Sequence, residues 1–258
     1  MTRGRFGAIA VAIALLAASG CGGGEPVAPD GDASQVPEPT ASGLRIGAPR
    51  ALEKGTGAWA PVVRATAVRA VPREDAQAVA RLETRTPEGT QNIVALASGG
   101  GEAARRGWVR VGVAALPNGT TGWVPRSALG GYSVVNTRLV VDLGAETIVL
   151  LRRGRQVLSA PVGVGTADAP TPAGEFYVRN RLTRYESPAY GPLAFGTSAR
   201  SPTLTDWPAG GFVGIHGTDR PELLPGRVSH GCIRMRNEDI LRLGELLPIG
   251  TPVTIRAA

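Results

Sequence analysis

From Tyr132 onward, short β-prone segments follow one another so closely that they favour a fold made of strands over one made of long helices. The segments are RLVVDL, TIVLLRR, QVLSAPVGVG, GEFYVRN, GFVGIH and PVTIRAA. Hairpin turns are predicted around Gly144-Ala145 and Arg153-Gly154. One helix is predicted in NEDILRLGELL, with Asn237 as its N-cap and Pro248 barring its continuation. Many short strands with one late helix predict a β-sandwich-like domain, in which two sheets bury alternate residues.

The composition of the 258-residue chain agrees with a mainly β fold rich in turns. It contains 36 Gly and 21 Pro, while aromatic residues make up only 5%. The net charge of +7 could suit a nucleic-acid partner, but the arginines are scattered, and only Arg105-Arg106 and Arg152-Arg153 are adjacent. A positive protein suits an anionic cell envelope equally well, so we expect no nucleic-acid partner.

The N-terminus has the layout of a bacterial export signal. Two arginines precede an apolar run from Phe6 to Ala18, which is too short for a membrane-spanning helix of about 20 residues. The segment AASGC resembles a bacterial lipobox, in which the cysteine, here Cys21, receives lipid and becomes the new N-terminus. Ala18 departs from that pattern, and the alternative is an ordinary signal peptide cut near residues 17–20. The sequence predicts a lipoprotein-type signal peptide over residues 1–20, export to the cell envelope or periplasm, and a lipid anchor in a membrane.

The segment that follows the signal has the composition of a linker. Residues 21–57 are rich in Gly, Pro, Ala and Ser and show no apolar periodicity, which predicts a disordered tether. A flexible coil of this length spans roughly 30 Å on average. That reach suits an anchored protein that works in a polymer layer beside the membrane.

Residues 58–130 have the pattern of a small β domain. The run GWVRVGVAALPNGTTGWVPRSAL predicts a hairpin, with Val109, Val111 and Val113 on one face and Asn118-Gly119 in the turn. The region resembles a bacterial SH3-type barrel. Such modules commonly bind cell-wall peptides, and the alternative is a structural neighbour that only packs on the next domain.

The chemistry-bearing residues cluster near the C-terminus. Both histidines of the chain, His216 and His230, lie within 20 residues of Cys232. If Cys21 carries lipid, Cys232 has no disulfide partner. A lone thiol that is kept in an oxidising compartment suggests that the thiol has a chemical role. A thiol attacks a carbonyl well only as the thiolate, so it needs a base within hydrogen-bond reach. Gly231 permits a sharp turn that leaves backbone N–H groups free to stabilise an oxyanion.

The sequence IHGT, followed after a short loop by SHGCIRM, resembles the signature of the L,D-transpeptidase catalytic domain, the YkuD-like family. The similarity covers residues 132–257 and includes the run APVGVG…TPAGEFYV. The resemblance implies a catalytic domain over residues 131–258 with a YkuD-like β-sandwich fold. The whole chain is then expected to fold as an SH3-like small barrel followed by that domain. Its expected activity is that of an enzyme of peptidoglycan synthesis.

The resemblance implies catalytic roles for three residues. Cys232 is the nucleophile, and His216 is the general base, oriented by the backbone carbonyl of Gly217. In the family the thiolate attacks the carbonyl between the third, diamino residue and the fourth residue, D-Ala, of a stem peptide. D-Ala leaves, a thioester forms, and an amine of a neighbouring stem resolves it as a 3-3 cross-link. Exchange or attachment at the stem terminus, or hydrolysis, is left open.

The resemblance also implies the lining of the pocket. Backbone N–H groups around His230, Gly231 and Cys232 form the oxyanion hole. Ser229 shapes the site, and Arg234 pairs with a substrate carboxylate. A Pro- and Gly-rich region over residues 180–212 corresponds to a loop over the cleft. Its candidate wall residues are Tyr190, Phe195 and Trp207.

Three alternatives stay open from the sequence. His216, His230 and Cys232 permit three zinc ligands with an open position, which would make a zinc-dependent hydrolase. A non-catalytic lipoprotein that binds cell wall is the second alternative, and a sortase-like cysteine transpeptidase is the third. In our interpretation the protein uses no cofactor or metal, acts on peptidoglycan stem peptides, binds the membrane through its lipid anchor, and is a monomer.

Overall fold

The computed structural model describes residues 57–97, 101–183, 187–203 and 211–258. The predicted signal peptide, Cys21, the tether up to residue 56 and Trp207 lie outside these residues. Within the described ranges, no helix has the length and hydrophobicity needed to cross a membrane.

The N-terminal part of the described chain forms a β module with its own core. Its elements are β1 Gly57–Pro61, β2 Thr66–Arg69, β3 Ala78–Leu82, β4 Ile93–Ala95, α1 Gly101–Arg105, β5 Trp108–Gly112, β6 Thr121–Pro125 and β7 Ser133–Val135. Four strands form one sheet in the order β3-β2-β6-β5, and three form another in the order β4-β1-β7. Apolar residues of both sheets pack in one core cluster. The resemblance of this module to SH3-type barrels stays a prediction.

The predicted hairpin of the module is confirmed. Strands β5 and β6 pair antiparallel, with Val109 opposite Val124, and Val111 and Val113 are buried. In the connecting turn only Gly119 has a positive φ, +82°. The side chain of Asn118 instead bonds the backbone of Arg200, far along the chain.

The C-terminal part is built on one sheet of ten strands. Its elements are β8 Thr137–Asp142, β9 Thr147–Arg152, β10 Arg155–Pro161, β11 Gly163–Gly165, β12 Gly174–Leu182, β13 Ala194–Arg200, β14 Phe212–His216, β15 Gly226–Ser229, β16 Ile233–Arg234, α2 Asn237–Leu246 and β17 Pro252–Arg256. The strand order is β10-β9-β8-β17-β12-β13-β14-β16-β11-β15. The antiparallel hairpins predicted for β8–β9 and β9–β10 are confirmed.

The predicted pair of separate sheets is replaced by this single curled sheet, and β12 is the reason. Its first residues, Gly174–Tyr177, pair with β17, while its later residues, from Val178 to Leu182, pair with β13. One nine-residue strand therefore joins the two halves. Buried residues from both halves and from α2 pack in one core cluster, so the sheet encloses a common core.

Strand β13 lies inside the region that the sequence predicted to be a loop, residues 180–212. Six of its seven residues are buried, and β12 and β14 flank it in the middle of the sheet. A strand covered on both faces has no alternation of polar and apolar residues, which removes the pattern that identifies a strand. Phe195 belongs to this strand.

Helix α2 occupies the predicted segment but begins differently. Its N-cap is Arg236, which makes no side-chain capping bond, and Asn237 is the first helical residue. Asn237 Oδ1 accepts a hydrogen bond of 2.9 Å from the backbone N–H of Thr218. This residue therefore ties the start of α2 to the loop after β14, instead of capping its own helix.

Candidate active site

The register between β14 and β16 places the site. The two strands pair in parallel, with Ile215 opposite Ile233 and His216 opposite Arg234. Both isoleucines are fully buried in the core. Since side chains alternate along a strand, His216 and Arg234 lie on the other face of the sheet. Cys232 precedes Ile233 and falls on that same face.

His216 is held as a neutral imidazole. Its side chain is 3% exposed, and its Nδ1 lies 2.6 Å from the carbonyl oxygen of Gly217. A carbonyl only accepts, so Nδ1–H donates and Nε2 keeps its lone pair. The pKa of His216 is lowered to about 4, mainly by burial; the bond to Gly217 acts against this shift, and the positive charge of Arg234 adds to it. The ring of Tyr190 packs on the imidazole, with 4.4 Å between ring centroids.

Cys232 is a free, partly buried thiol. Burial raises its pKa, and the Gly214 N–H group and the charge of Arg234 oppose that rise. The Gly214 N–H lies 3.4 Å from Sγ. The thiol form is therefore the resting form, and a base is needed to make the thiolate.

Gly214 keeps the space between the two reactive groups open. A Cβ atom added there would lie 3.7 Å from His216 Cδ2 and 3.9 Å from Cys232 Sγ. Both side chains thus converge on the point that a side chain at position 214 would fill. Sequence reasoning missed this residue, although an interior glycine in a strand signals close approach of other groups.

The turn before Cys232 is fixed by two hydroxyl groups. Gly231 has φ +109°, a conformation that favours glycine. Ser229 Oγ accepts the Gly231 N–H at 3.1 Å and donates to the carbonyl oxygen of Cys232 at 2.5 Å. Thr171 Oγ1 donates to the carbonyl oxygen of Gly231 at 2.9 Å and accepts the Gly165 N–H at 2.8 Å.

These bonds revise the predicted oxyanion hole. The Gly231 N–H, expected to be a free donor, is used by Ser229. In a trans peptide the C=O and the following N–H point in opposite directions. Because Thr171 holds the Gly231 carbonyl on one side, the Cys232 N–H is directed to the opposite side. Thr171 was not among the residues predicted from sequence, since its role depends on a contact across 60 residues.

The thiol lies in a small cleft of about 100 Å³. Its lining residues are Ala189, Tyr190, Ser201, Gly211, Phe212, Val213, His216, His230, Gly231, Cys232 and Arg234. His230 is exposed at this cleft. The Nε atom of Arg234 is buried and makes no hydrogen bond within the described chain, so this guanidinium has capacity for an anionic group of a bound molecule.

One predicted wall residue is corrected by the structure. Phe195 is 0% exposed and belongs to the core cluster, because it lies on the buried strand β13. It does not line the cleft. Phe212, at the start of β14, supplies an aromatic wall instead, together with Tyr190.

The geometry gives no support to the zinc alternative. Among the residues that the structure describes, no three His, Cys, Asp or Glu side chains are grouped to hold a metal ion. His216 Nδ1 is also engaged with Gly217. A partly buried thiol, a neutral imidazole and a guanidinium on one face of a curled sheet define a site whose chemistry suits acyl transfer by a thiol.

Comparisons with known proteins identify the family. A family model described as the L,D-transpeptidase catalytic domain, YkuD, matches residues 136–255. The putative L,D-transpeptidase YqjB of Bacillus subtilis is 37% identical over 132 residues, which are 48% of this chain and 70% of that protein. The putative L,D-transpeptidase YkuD of the same organism is 37% identical over 117 residues, 45% of this chain and 64% of that protein. The chain belongs to the family of L,D-transpeptidases with a YkuD catalytic domain.

The coverage of these matches is partial. The chain spans 64% of the length of the YkuD proteins of Bacillus subtilis and Bacillus licheniformis. Among solved structures, the NMR structure of the catalytic domain of the E. faecium L,D-transpeptidase is 28% identical and covers 46% of this chain and 96% of that chain, with a TM-score of 0.37.

Proposed function

We propose that the protein is a cysteine L,D-transpeptidase that acts on peptidoglycan stem peptides. The observation that carries the proposal is the β14–β16 register, which puts His216, Cys232 and Arg234 on one face at a cleft. Family membership supplies the reaction class. The local geometry supplies a role for each group.

The first half-reaction forms a thioester. His216 Nε2 takes the proton of the Cys232 thiol, and Sγ attacks the carbonyl carbon of the third stem residue. The bond between that carbon and the D-Ala nitrogen then breaks, and the imidazolium returns the proton to the leaving amine. A buried imidazole with a pKa of about 4 is neutral at pH 7, so its Nε2 carries no proton and can accept one.

The Cys232 N–H is the donor that meets the developing oxyanion. Thr171 sets its direction by holding the Gly231 carbonyl. A positioned donor of this kind stabilises the tetrahedral intermediate more than the planar ground state. Arg234, whose buried Nε has no hydrogen-bond partner among the described residues, binds a carboxylate of the stem peptide.

The second half-reaction transfers the acyl group. An acceptor amine attacks the thioester carbon and gives its proton to His216. The C–S bond breaks, and the imidazolium returns the proton to the thiolate, which regenerates the thiol. A stem amine as acceptor gives a 3-3 cross-link. Another amine gives exchange or attachment, and water gives hydrolysis.

The proposed site of action rests on the sequence alone. We propose an exported protein anchored by lipid on Cys21, with the predicted tether, which ends where β1 begins at Gly57, setting its reach to the cell wall. Expression of the wild type and of Cys21→Ala with radiolabelled palmitate tests the anchor. Label on the wild type and none on the variant supports it, and equal labelling contradicts it.

The activity is tested with the full chain and purified disaccharide-tetrapeptides. We expect released D-Ala and a cross-linked or exchanged product by mass spectrometry, and no product from Cys232→Ala. Metal analysis accompanies the assay. The proposal would be refuted if the protein held stoichiometric zinc and Cys232→Ala still formed product. It would also be refuted if the wild type bound cell wall but turned over no substrate.

A further inference from the structure

The β module contacts the catalytic sheet through a buried ion pair. Glu88 lies in the turn between β3 and β4, and its Oε1 accepts a hydrogen bond of 2.7 Å from Arg179 Nη2 on β12. The side chains are 15% and 2% exposed, respectively. Glu88 Oε2 also accepts from Asn180 Nδ2 at 3.2 Å. A cation this deeply buried depends on its carboxylate partner.

Arg179 connects this ion pair to the cleft. Its guanidinium carbon lies 3.7 Å from the ring centroid of Phe212, a residue that lines the cleft with Cys232. The Arg179 Nε donates to the carbonyl oxygen of Thr197 at 3.1 Å. Stacking of a guanidinium on an aromatic face fixes the plane of the ring.

A second contact of the module reaches the same ring through Arg200. The guanidinium carbon of Arg200 lies 4.7 Å from the Phe212 centroid, and Arg200 pairs with Phe212 across β13 and β14. Asn118, in the hairpin turn of the module, donates to the Arg200 carbonyl at 2.8 Å and accepts its N–H at 2.9 Å. With these two hydrogen bonds, the Asn118 side chain pairs with the backbone of Arg200 as an adjacent β-strand would.

We propose that the β module is a fixed part of the active site and that Glu88 is a positioning residue for Phe212. Without the carboxylate, the buried charge of Arg179 is uncompensated, and the side chain moves from the ring toward water. Phe212 then loses the support that orients it in the cleft wall, and binding of the stem peptide weakens. The catalytic consequence rests on the proposed function; the positioning of the ring does not.

The experiment uses the full chain with Glu88→Gln. We expect KM for the disaccharide-tetrapeptide to rise about 5- to 30-fold, the range of a lost cation–π support, with kcat changed about 2-fold or less. Glu83→Gln is the matched control, because Glu83 is in the same module and its ion pair with Arg81 is exposed. That variant should retain the wild-type KM.

A double variant separates positioning from folding. Glu88→Gln with Arg179→Met removes both charges, which restores stability that the single variant loses, but it does not restore the guanidinium on the ring. We expect the KM of the double variant to stay raised while its unfolding midpoint recovers. If KM recovers together with stability, the role of Glu88 is only structural and the proposal is wrong.

A direct readout of the ring makes the test independent of turnover. The chain has 4 Phe, so ¹³C-labelled phenylalanine gives few ring signals, and Phe212→Leu assigns the relevant one. In Glu88→Gln the Phe212 signal should shift while the signal of Phe195, in the core, stays in place. An unchanged Phe212 signal overturns the proposal. A shifted signal in a protein without transpeptidase activity supports the positioning role and refutes only the proposed function.

Discussion

The two sides of the Cys232 thiol are built by different means. On one side, strand β14 presents His216 through a ladder of backbone hydrogen bonds with β13 and β16. On the other side, the turn of residues 229–232 is held by the hydroxyl groups of Ser229 and Thr171. A backbone ladder tolerates most side-chain changes, whereas a turn held by two hydroxyls depends on each of them. The base side should therefore be robust in structure, and the oxyanion side should be sensitive to single remote substitutions.

The two histidines sharpen the comparison because they share the cleft but differ in burial. His216 is 3% exposed and bonded to a carbonyl, whereas His230 is exposed. We expect His216→Asn to lower kcat/KM by about 10²- to 10⁴-fold, the usual contribution of a general base. His230→Asn should lower it by less than about 10-fold, since a residue of the cleft rim contributes to binding only.

Steady-state kinetics on both variants, with folding checked by circular dichroism, measures this difference. Equal losses from the two substitutions would contradict the assignment of His216 as the base. A larger loss from His230→Asn would reverse it.

Thr171→Val tests the oxyanion side. The substitution removes the donor to the Gly231 carbonyl and the acceptor of the Gly165 N–H. Leaving such buried groups unpaired costs about 1–3 kcal/mol each. We expect kcat to fall by about 10- to 100-fold, less than after complete loss of an oxyanion donor, because the Cys232 N–H is misdirected but present.

Thr137→Val is the matched control for this prediction. Thr137 is 2% exposed, and its hydroxyl bonds Thr251 Oγ1 at 2.7 Å, away from the cleft. It should lose stability in urea unfolding while the folded protein keeps its kcat. If both variants retain activity in proportion to the folded fraction, Thr171 has no role in directing the Cys232 N–H.

The pH dependence of stability tests the burial of His216. Its folded pKa of about 4 lies below the ordinary value of 6.5, so the unfolded state binds the proton more readily. This contribution to stability is present above pH 6.5 and is lost as the pH falls toward 4. Between pH 7.5 and 5.5 we expect the wild type to lose about 1 kcal/mol more than His216→Asn. Urea unfolding at the two pH values measures it, and parallel losses would show that the imidazole is accessible to protons in the folded state.

The sequence brings out the candidate reactive residues more clearly than the residues that surround them. His216, Cys232 and Arg234 lie in a short motif whose strand period and spacing bring them together. In the sequence, Gly214 and Phe212 look like ordinary strand residues. Only the register of β14 in the folded chain shows that they lie at the cleft. Their roles arise only from tertiary contacts, and no local pattern reports such contacts.

The fold shows the same difference between local features, which the sequence predicts, and tertiary features, which it does not. Hairpins such as β8–β9 are local and carry turn signals, so they could be predicted. Strand β13 carries small and apolar residues buried on both faces, so it has no strand period, and Phe195 was assigned to the cleft for that reason. The single sheet depends on β12 pairing with two different neighbours, which no sequence pattern marks.

The central claim, that Cys232 is the acyl-accepting nucleophile, is tested most directly by intact-protein mass spectrometry after incubation with a carbapenem. The wild type should gain the mass of one inhibitor molecule, and peptide mapping should place it on Cys232. Cys232→Ala should gain none, while His216→Asn should gain it more slowly. An unmodified wild type, or an adduct that persists in Cys232→Ala, would contradict the account.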